Sequence, residues 1–235
     1  GRIIFGKDHT TTPRRKMYLD EQEDQAIRSV VVQERAAATA ALVELMGDDV
    51  FDNPKDVGVL AKWINAVTQR KQDAIVVDLF AGSGSTGHAV YELNAADGGR
   101  RSFILVQLPE FVDEESRAAK NGYATIVDLV KERLRRAGKK VADRSGPATV
   151  DLDIGFRMLK VDTTNMTDVL RTPDEAVQAR LELDVESVKP DRSGEDLLFQ
   201  VLIDWGLKLT LPIGIERVDG HDVFVVDDGA LIACF

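Results

Sequence analysis

The spacing of apolar residues changes several times along the chain, and each change marks an element. Near the start, "RIIF" and "KMYL" read as short strands around a polar loop that contains a proline. "ERAAATAALVELMG" is rich in helix formers and stops at Gly47, which predicts a helix ended by glycine. Leu60, Trp63, Ile64 and Val67 recur at helical spacing and predict a second helix with these residues toward the core. "AIVVDLF", Ala74 to Phe80, is a continuous apolar run of strand length, the pattern expected where both faces of a parallel sheet are covered. A helix from Thr86 to Leu93 and a second buried strand, "SFILVQL" from Ser102 to Leu108, come next. "GYATIVDLVKERLRRAG" then places Tyr123, Ile126, Val127, Val130 and Leu134 on one helical face with charges opposite. Strand, glycine loop, helix, strand, helix is the opening of a doubly wound α/β sheet.

A linker over Lys139 to Thr149, "KKVADRSGPAT", separates this part from a tail of different texture. The tail has "GFRMLKVD", an acidic helical stretch, an amphipathic "DLLFQVLIDWG" containing Trp205, and a β-rich end. Two turn signals there, Asp219-Gly220 and Asp227-Asp228-Gly229, lie between runs of strand formers and predict a meander. The tail reads as a small α+β module.

Composition narrows the function classes. Across 235 residues, 44% are hydrophobic and 30% charged, which describes a globular protein. No uncharged apolar run approaches the ~18 residues of a membrane span, and no signal peptide is visible. The single cysteine, Cys234, excludes an internal disulfide framework and suits a reducing cytoplasm. A strand-like run begins right after Gly1 and "ALIACF" stops within another, so a fragment of a longer chain is expected. The net charge of −10 argues against nucleic-acid binding by charge alone. "KERLRRAGKKVADR" sets seven cations against Glu132 and Asp143, and reads as a solvated helix face. His88 reads as a packing or solvent-facing residue; His9 and His221 have no ligand cluster around them, so no metal site is expected.

The chemistry centres on "VVDLFAGSGSTGHAV", Val76 to Val90, where an apolar run ends at Asp78 and opens into Gly82, Gly84 and Gly87. A phosphate-gripping loop would follow Gly87 with Lys and Ser or Thr, and here His88 and Ala89 stand in those places. A nicotinamide or flavin loop matches the glycines, but three residues separate Asp78 from Gly82, where such a loop normally begins at once. A ligand with a cationic amino group explains the acid at the strand end, and S-adenosyl-L-methionine is one. A glycine turn without a ligand is the remaining alternative.

Asp78, Phe80, Gly82 and Gly84, in the pattern D-x-F-x-G-x-G, resemble the cofactor loop of methyltransferases. With "FDNPKDVGVLAKWI" upstream, the order resembles the permuted β class of amino-methylating DNA methyltransferases. "DLFAGSGSTGHAVYELNAADGGRRSFILVQLPE" followed by "GYATIVDLVKERLRR" is similar to the modification (Mod) subunits of type III restriction-modification systems. That resemblance implies a partial Rossmann-like S-adenosylmethionine-dependent methyltransferase sheet over 48–145, after the end of a target-recognition region and a connecting helix in 1–47. A small α+β C-terminal module over 146–235 completes the division. It also implies DNA as substrate, a restriction subunit and a second modification subunit as partners, and a cytoplasmic location.

Site residues follow from the same resemblance. Asp78 serves the methionine end and Phe80 lines the pocket, with Ala81, Gly82, Ser83 and Gly84 forming the turn. Ser85 and Thr86 start a helix whose amides favour a carboxylate. Phe51, Asn53, Pro54 and Lys55 match the segment that closes the methionine side, with Lys55 either a carboxylate partner or a solvated lysine. Gln107 stands where the family has an acid for the ribose hydroxyls, and Glu110 follows three residues on. No residue matches the (D/N/S)-P-P-(Y/F/W) tetrapeptide that adenine-N6 transfer requires, since no two prolines are adjacent. The chain alone is therefore expected to be inactive. A solitary β-class methyltransferase acting on adenine N6 or cytosine N4, and a subunit-assembly module, are the other readings.

Overall fold

The computed structural model describes residues 2–16, 30–32, 34–145, 152–167 and 187–235. The fold is mixed α/β with small sheets and divides into two units, Gly1–Phe156 and Arg157–Phe235. The first unit opens with β1 (Ile3–Ile4) paired antiparallel to β2 (Arg14–Arg15). The second strand thus falls in the basic "PRRK" run, and most of "KMYL" lies outside the described residues. The helix α1 (Arg35–Met46) ends at Gly47, whose φ of 87° lets its N–H reach back to the Val43 carbonyl. The helix α2 (Val57–Thr68) starts where Asp56 accepts the Val59 N–H at 2.8 Å.

At the centre, β3 (Ile75–Asp78) and β4 (Ser102–Leu105) pair in parallel, with Asp78 opposite Leu105. Between them runs α3 (Ser85–Asp97), four residues longer at its end than the periodicity predicts. After the short α4 (Arg117–Lys120), the long α5 (Ile126–Ser145) crosses the same face. Leu129, Val130, Leu134, Ala137 and Val141 are its buried seam, and Phe103, Leu105 and Tyr91 pack against it.

Several sequence expectations change here. The helix runs through Gly138 into the expected linker, because that glycine serves close packing: a Cβ there would lie 3.1 Å from the Ile154 Cβ. Among the described residues the strands are covered on one face only. Val76 and Phe103 meet the helices, whereas Ile75, Val77 and Ile104 point the other way and are exposed. The α2 seam is Val57, Leu60, Ala61 and Ile64, which leaves Trp63 and Val67 exposed. Trp205 is exposed as well. The basic stretch is not uniformly a solvated face, since Arg133 is 2% exposed.

In the second unit, α6 (Gly194–Asp204) is held by a reciprocal cap in which Ser193 Oγ accepts the Asp196 N–H and the Asp196 carboxylate accepts the Ser193 N–H. Leu198 and Leu202 pack on Phe224, Val226 and Leu231 of an antiparallel meander, β5 (Ile213–Val218), β6 (His221–Val226) and β7 (Leu231–Cys234). The turns fall at Asp219-Gly220 and Asp227–Gly229, as the sequence predicts. The acidic helical stretch lies largely outside the described residues. No helix among the described residues is long and apolar enough to cross a membrane.

Candidate functional site

The glycine loop leaves the carboxyl end of β3, the position at which open parallel sheets hold their ligands. Two backbone bonds anchor its start to β4: Val106 N–H to the Asp78 carbonyl at 2.8 Å and Ala81 N–H to the Val106 carbonyl at 3.0 Å. The Asp78 carboxylate then organises the turn. Its Oδ1 accepts the Phe80 N–H at 3.1 Å, and its Oδ2 accepts the Thr86 hydroxyl at 2.5 Å. One acid thereby ties the strand end to the first turn of α3.

Two glycines adopt conformations that favour the absence of a Cβ. Gly82 has φ 53° and Gly84, the residue before α3, has φ 79°. A Cβ on Gly84 would approach Val130 Cγ1 to 3.0 Å, so the loop also lies tightly on α5. From two residues beyond β4, the Gln107 side chain reaches back, and its Oε1 accepts the Gly82 N–H at 2.8 Å. Phe51 joins the site, its ring edge 3.5 Å from where a Gly82 Cβ would stand.

The remaining sequence candidates are less closely gathered. Ala81, Ser83, Gly84 and Ser85 are buried in the loop, and Phe80 is 88% exposed. Asn53, at φ 52°, and Lys55 are exposed on the segment before α2, with Pro54 buried between them. The hydrogen bonds that build the loop come from Asp78, Thr86, Gln107 and a residue that sequence reasoning missed, Arg133. Its Nη1 donates to Ser83 Oγ at 2.6 Å and to Ser85 Oγ at 2.8 Å. Burial pulls the Arg133 pKa down to about 10, which still leaves a cation at neutral pH. The available signal was positional: Arg133 lies three residues after Val130 and one before Leu134, inside the apolar face of α5.

His88 follows the loop on α3, its Nε2 3.6 Å from Glu92 Oε1 and its Nδ1 buried without a hydrogen-bond partner among the described residues. Glu92 is also paired with Arg144 at 2.5 Å. The His88 ring and then the Arg144 guanidinium hold the Glu92 carboxyl down to about 2.

Comparison with known proteins bears on the whole arrangement. No family model matches the chain. It is 37% identical over 157 residues to the Mod subunit of the type III restriction-modification enzyme StyLTI from Salmonella typhimurium, a match covering 66% of this chain and 24% of that protein. It is 39% identical over 145 residues to the EcoP15I Mod subunit from Escherichia coli, covering 61% and 22%. A type II methyltransferase, M.KpnI from Klebsiella pneumoniae, is 36% identical over 106 residues, covering 45% and 25%. The matches span about a quarter of the length of these relatives.

Proposed function

This chain is related to the Mod subunits of type III restriction-modification enzymes, and from that premise we propose that it forms the cofactor-binding part of a DNA methyltransferase. The cofactor is S-adenosyl-L-methionine, held at the glycine loop between β3 and β4, and these strands belong to a Rossmann-like sheet. The observation that carries the reading is the Asp78 carboxylate at the strand end, bonded to Phe80 and Thr86 around the two positive-φ glycines.

The residues present fit such a ligand. Asp78 is half-buried at the mouth of the loop, and each oxygen takes one loop donor, leaving acceptor capacity for an ammonium. Gly82 and Gly84 permit close approach of the backbone, and Phe51 and Phe80 offer aromatic surface beside it. The first turn of α3, from Ser85 and Thr86, favours a carboxylate. Gln107 supplies an amide in place of the usual ribose-binding acid, although its oxygen is engaged by Gly82. Asn53, Pro54 and Lys55 close the methionine side, with Lys55 offering a cation.

When bound, the cofactor supplies a methyl group activated by its sulfonium. The residues described here bind and orient; they do not activate the acceptor. The acceptor in this reading is the exocyclic amine of adenine in DNA, a weak nucleophile that must be flipped out and held by a polar group beside an aromatic ring. With no adjacent prolines in the chain, the tetrapeptide frame for that task is missing, and the 235 residues alone transfer no methyl group. The whole protein acts with a restriction subunit and a second modification subunit on DNA. The relation to a type II methyltransferase favours, as a second reading, a solitary enzyme acting on adenine or cytosine amino groups.

Calorimetric titration with S-adenosylmethionine tests the cofactor reading. The wild-type chain binds, and Asp78→Ala weakens binding by about 1.5–3 kcal/mol, the range for a hydrogen bond to a charged group. Equal affinities would remove Asp78 from the site. Radiolabelled methyl transfer to adenine-rich DNA by the purified chain would contradict the division of roles.

A further inference from the structure

The loop rests on a buried cation, Arg133. Arg133 is 2% exposed, and its Nη1 donates to Ser83 Oγ at 2.6 Å, to Ser85 Oγ at 2.8 Å and to the Ser83 carbonyl at 3.4 Å. All of these acceptors are neutral, and the Nε has no hydrogen-bond partner among the described residues. Arg101 is the contrasting case in the same unit. It is 3% exposed, and Asp97 meets its two terminal nitrogens at 3.0 and 2.9 Å while Thr68 Oγ1 accepts from its Nε at 2.7 Å. A buried guanidinium in a structural role is thus closed by an acid and a hydroxyl.

Leaving a buried charge without a counter-charge is costly, and the cost falls when an anion approaches. Arg133 presents its charge to Ser83 in the glycine loop and to Ser85, the first residue of α3. That helix end carries the positive pole of its own peptide dipoles. Two fields of the same sign therefore meet at one short segment. The low polarisability of the interior and the exclusion of salt keep the Arg133 field strong there.

We infer that Arg133 is a positioning residue for the carboxylate of the proposed cofactor. From beneath the loop it fixes the Ser83 and Ser85 hydroxyls and holds the start of α3 at positive potential. The inference rests on the cofactor reading above and deepens it.

The test is titration of the 235-residue chain with two probes: S-adenosylmethionine and its decarboxylated form, which keeps the adenosine, sulfonium and amine. The wild type prefers the carboxylate-bearing ligand by about tenfold or more, and Arg133→Met lowers that ratio by weakening the carboxylate-bearing ligand more than the decarboxylated one. Arg133→Lys, which keeps the charge, retains most of the preference. An unchanged ratio in Arg133→Met overturns the inference and leaves the cofactor reading standing. Equal losses for both probes overturn it in favour of a purely structural arginine. A wild type that binds neither probe overturns the cofactor reading and this inference with it. Thermal melting identifies a variant that fails to fold. If Arg133→Met does, Arg133→Lys decides: a preference kept supports the inference, and a preference lost overturns it.

Discussion

Gln107 and Gly82 are joined side chain to backbone: the amide oxygen of Gln107, just past the second central strand, accepts the Gly82 N–H at 2.8 Å. The same side chain donates through Nε2 to the Leu108 carbonyl at 3.2 Å, which fixes the orientation of the amide. Gln107 is thus a strut between the two strand ends, whatever it does for a ligand. Gln107→Leu removes the strut and leaves the Gly82 N–H without it. The expected cost is about 0.5–1.5 kcal/mol in urea unfolding. Hydrogen exchange at the Gly82 amide should speed up, while amides in α5 keep their protection.

Thr86 has a parallel role on the other side of the turn, donating its hydroxyl to Asp78 Oδ2 at 2.5 Å. Thr86→Val preserves the shape and removes the donor, leaving a half-buried carboxylate with one fewer partner. A loss of about 1.5 kcal/mol is expected, at the low end for a charged acceptor because water reaches Asp78. Thr86→Ser should be nearly neutral. If valine and serine variants melt together at the wild-type temperature, the bond contributes nothing to stability.

Much of this local structure could be read in the residues. The change from an apolar run to an acid and then glycines marks the strand end, and the turn signals at Asp219 and Asp227 mark the meander. These are local devices, set by backbone conformation within a few residues. What periodicity could not supply was which face meets which partner. "AIVVDLF" is apolar on both sides, so nothing in it distinguishes the covered Val76 from the exposed Val77. Arg133 was hidden for a related reason. Among seven cations it looks like its neighbours, and only the loop folded against α5 distinguishes it. Gly138 stands just before the expected linker, and only the fold shows that it serves close packing against Ile154.

Gly84 couples the loop to α5 through space that a side chain would occupy. At φ 79°, an L-residue is strained, and its Cβ would be 3.0 Å from Val130 Cγ1. Gly84→Ala should destabilise by about 1–3 kcal/mol, from backbone strain and overpacking together. Val130→Ala in the same chain removes the contact but not the strain. The double variant should therefore lose less than the sum of the two single changes in a denaturant series. Strict additivity would show that the loop does not press on α5.

The ion pair between α3 and α5 gives the first unit an acid-dependent stability. Glu92 is held at about 2 in the folded chain, against an ordinary value of 4.5, by the His88 ring first and by Arg144 second. A carboxyl with a depressed folded-state pKa stabilises the fold above its unfolded pKa. That contribution drains away as pH falls through the interval down to the folded value. Here the window runs from about 4.5 to about 2. The full effect is at most about 3 kcal/mol by linkage, with the Glu92 side chain 27% exposed. Urea unfolding at pH 6 and pH 3 measures it. Glu92→Gln should lower stability at pH 6 and flatten the fall between the two values, because the glutamine has no proton to gain. A variant that loses stability with acid as steeply as the wild type would place the acid sensitivity elsewhere. Arg144→Met should give a smaller version of the same change, since the His88 contact to Glu92 remains.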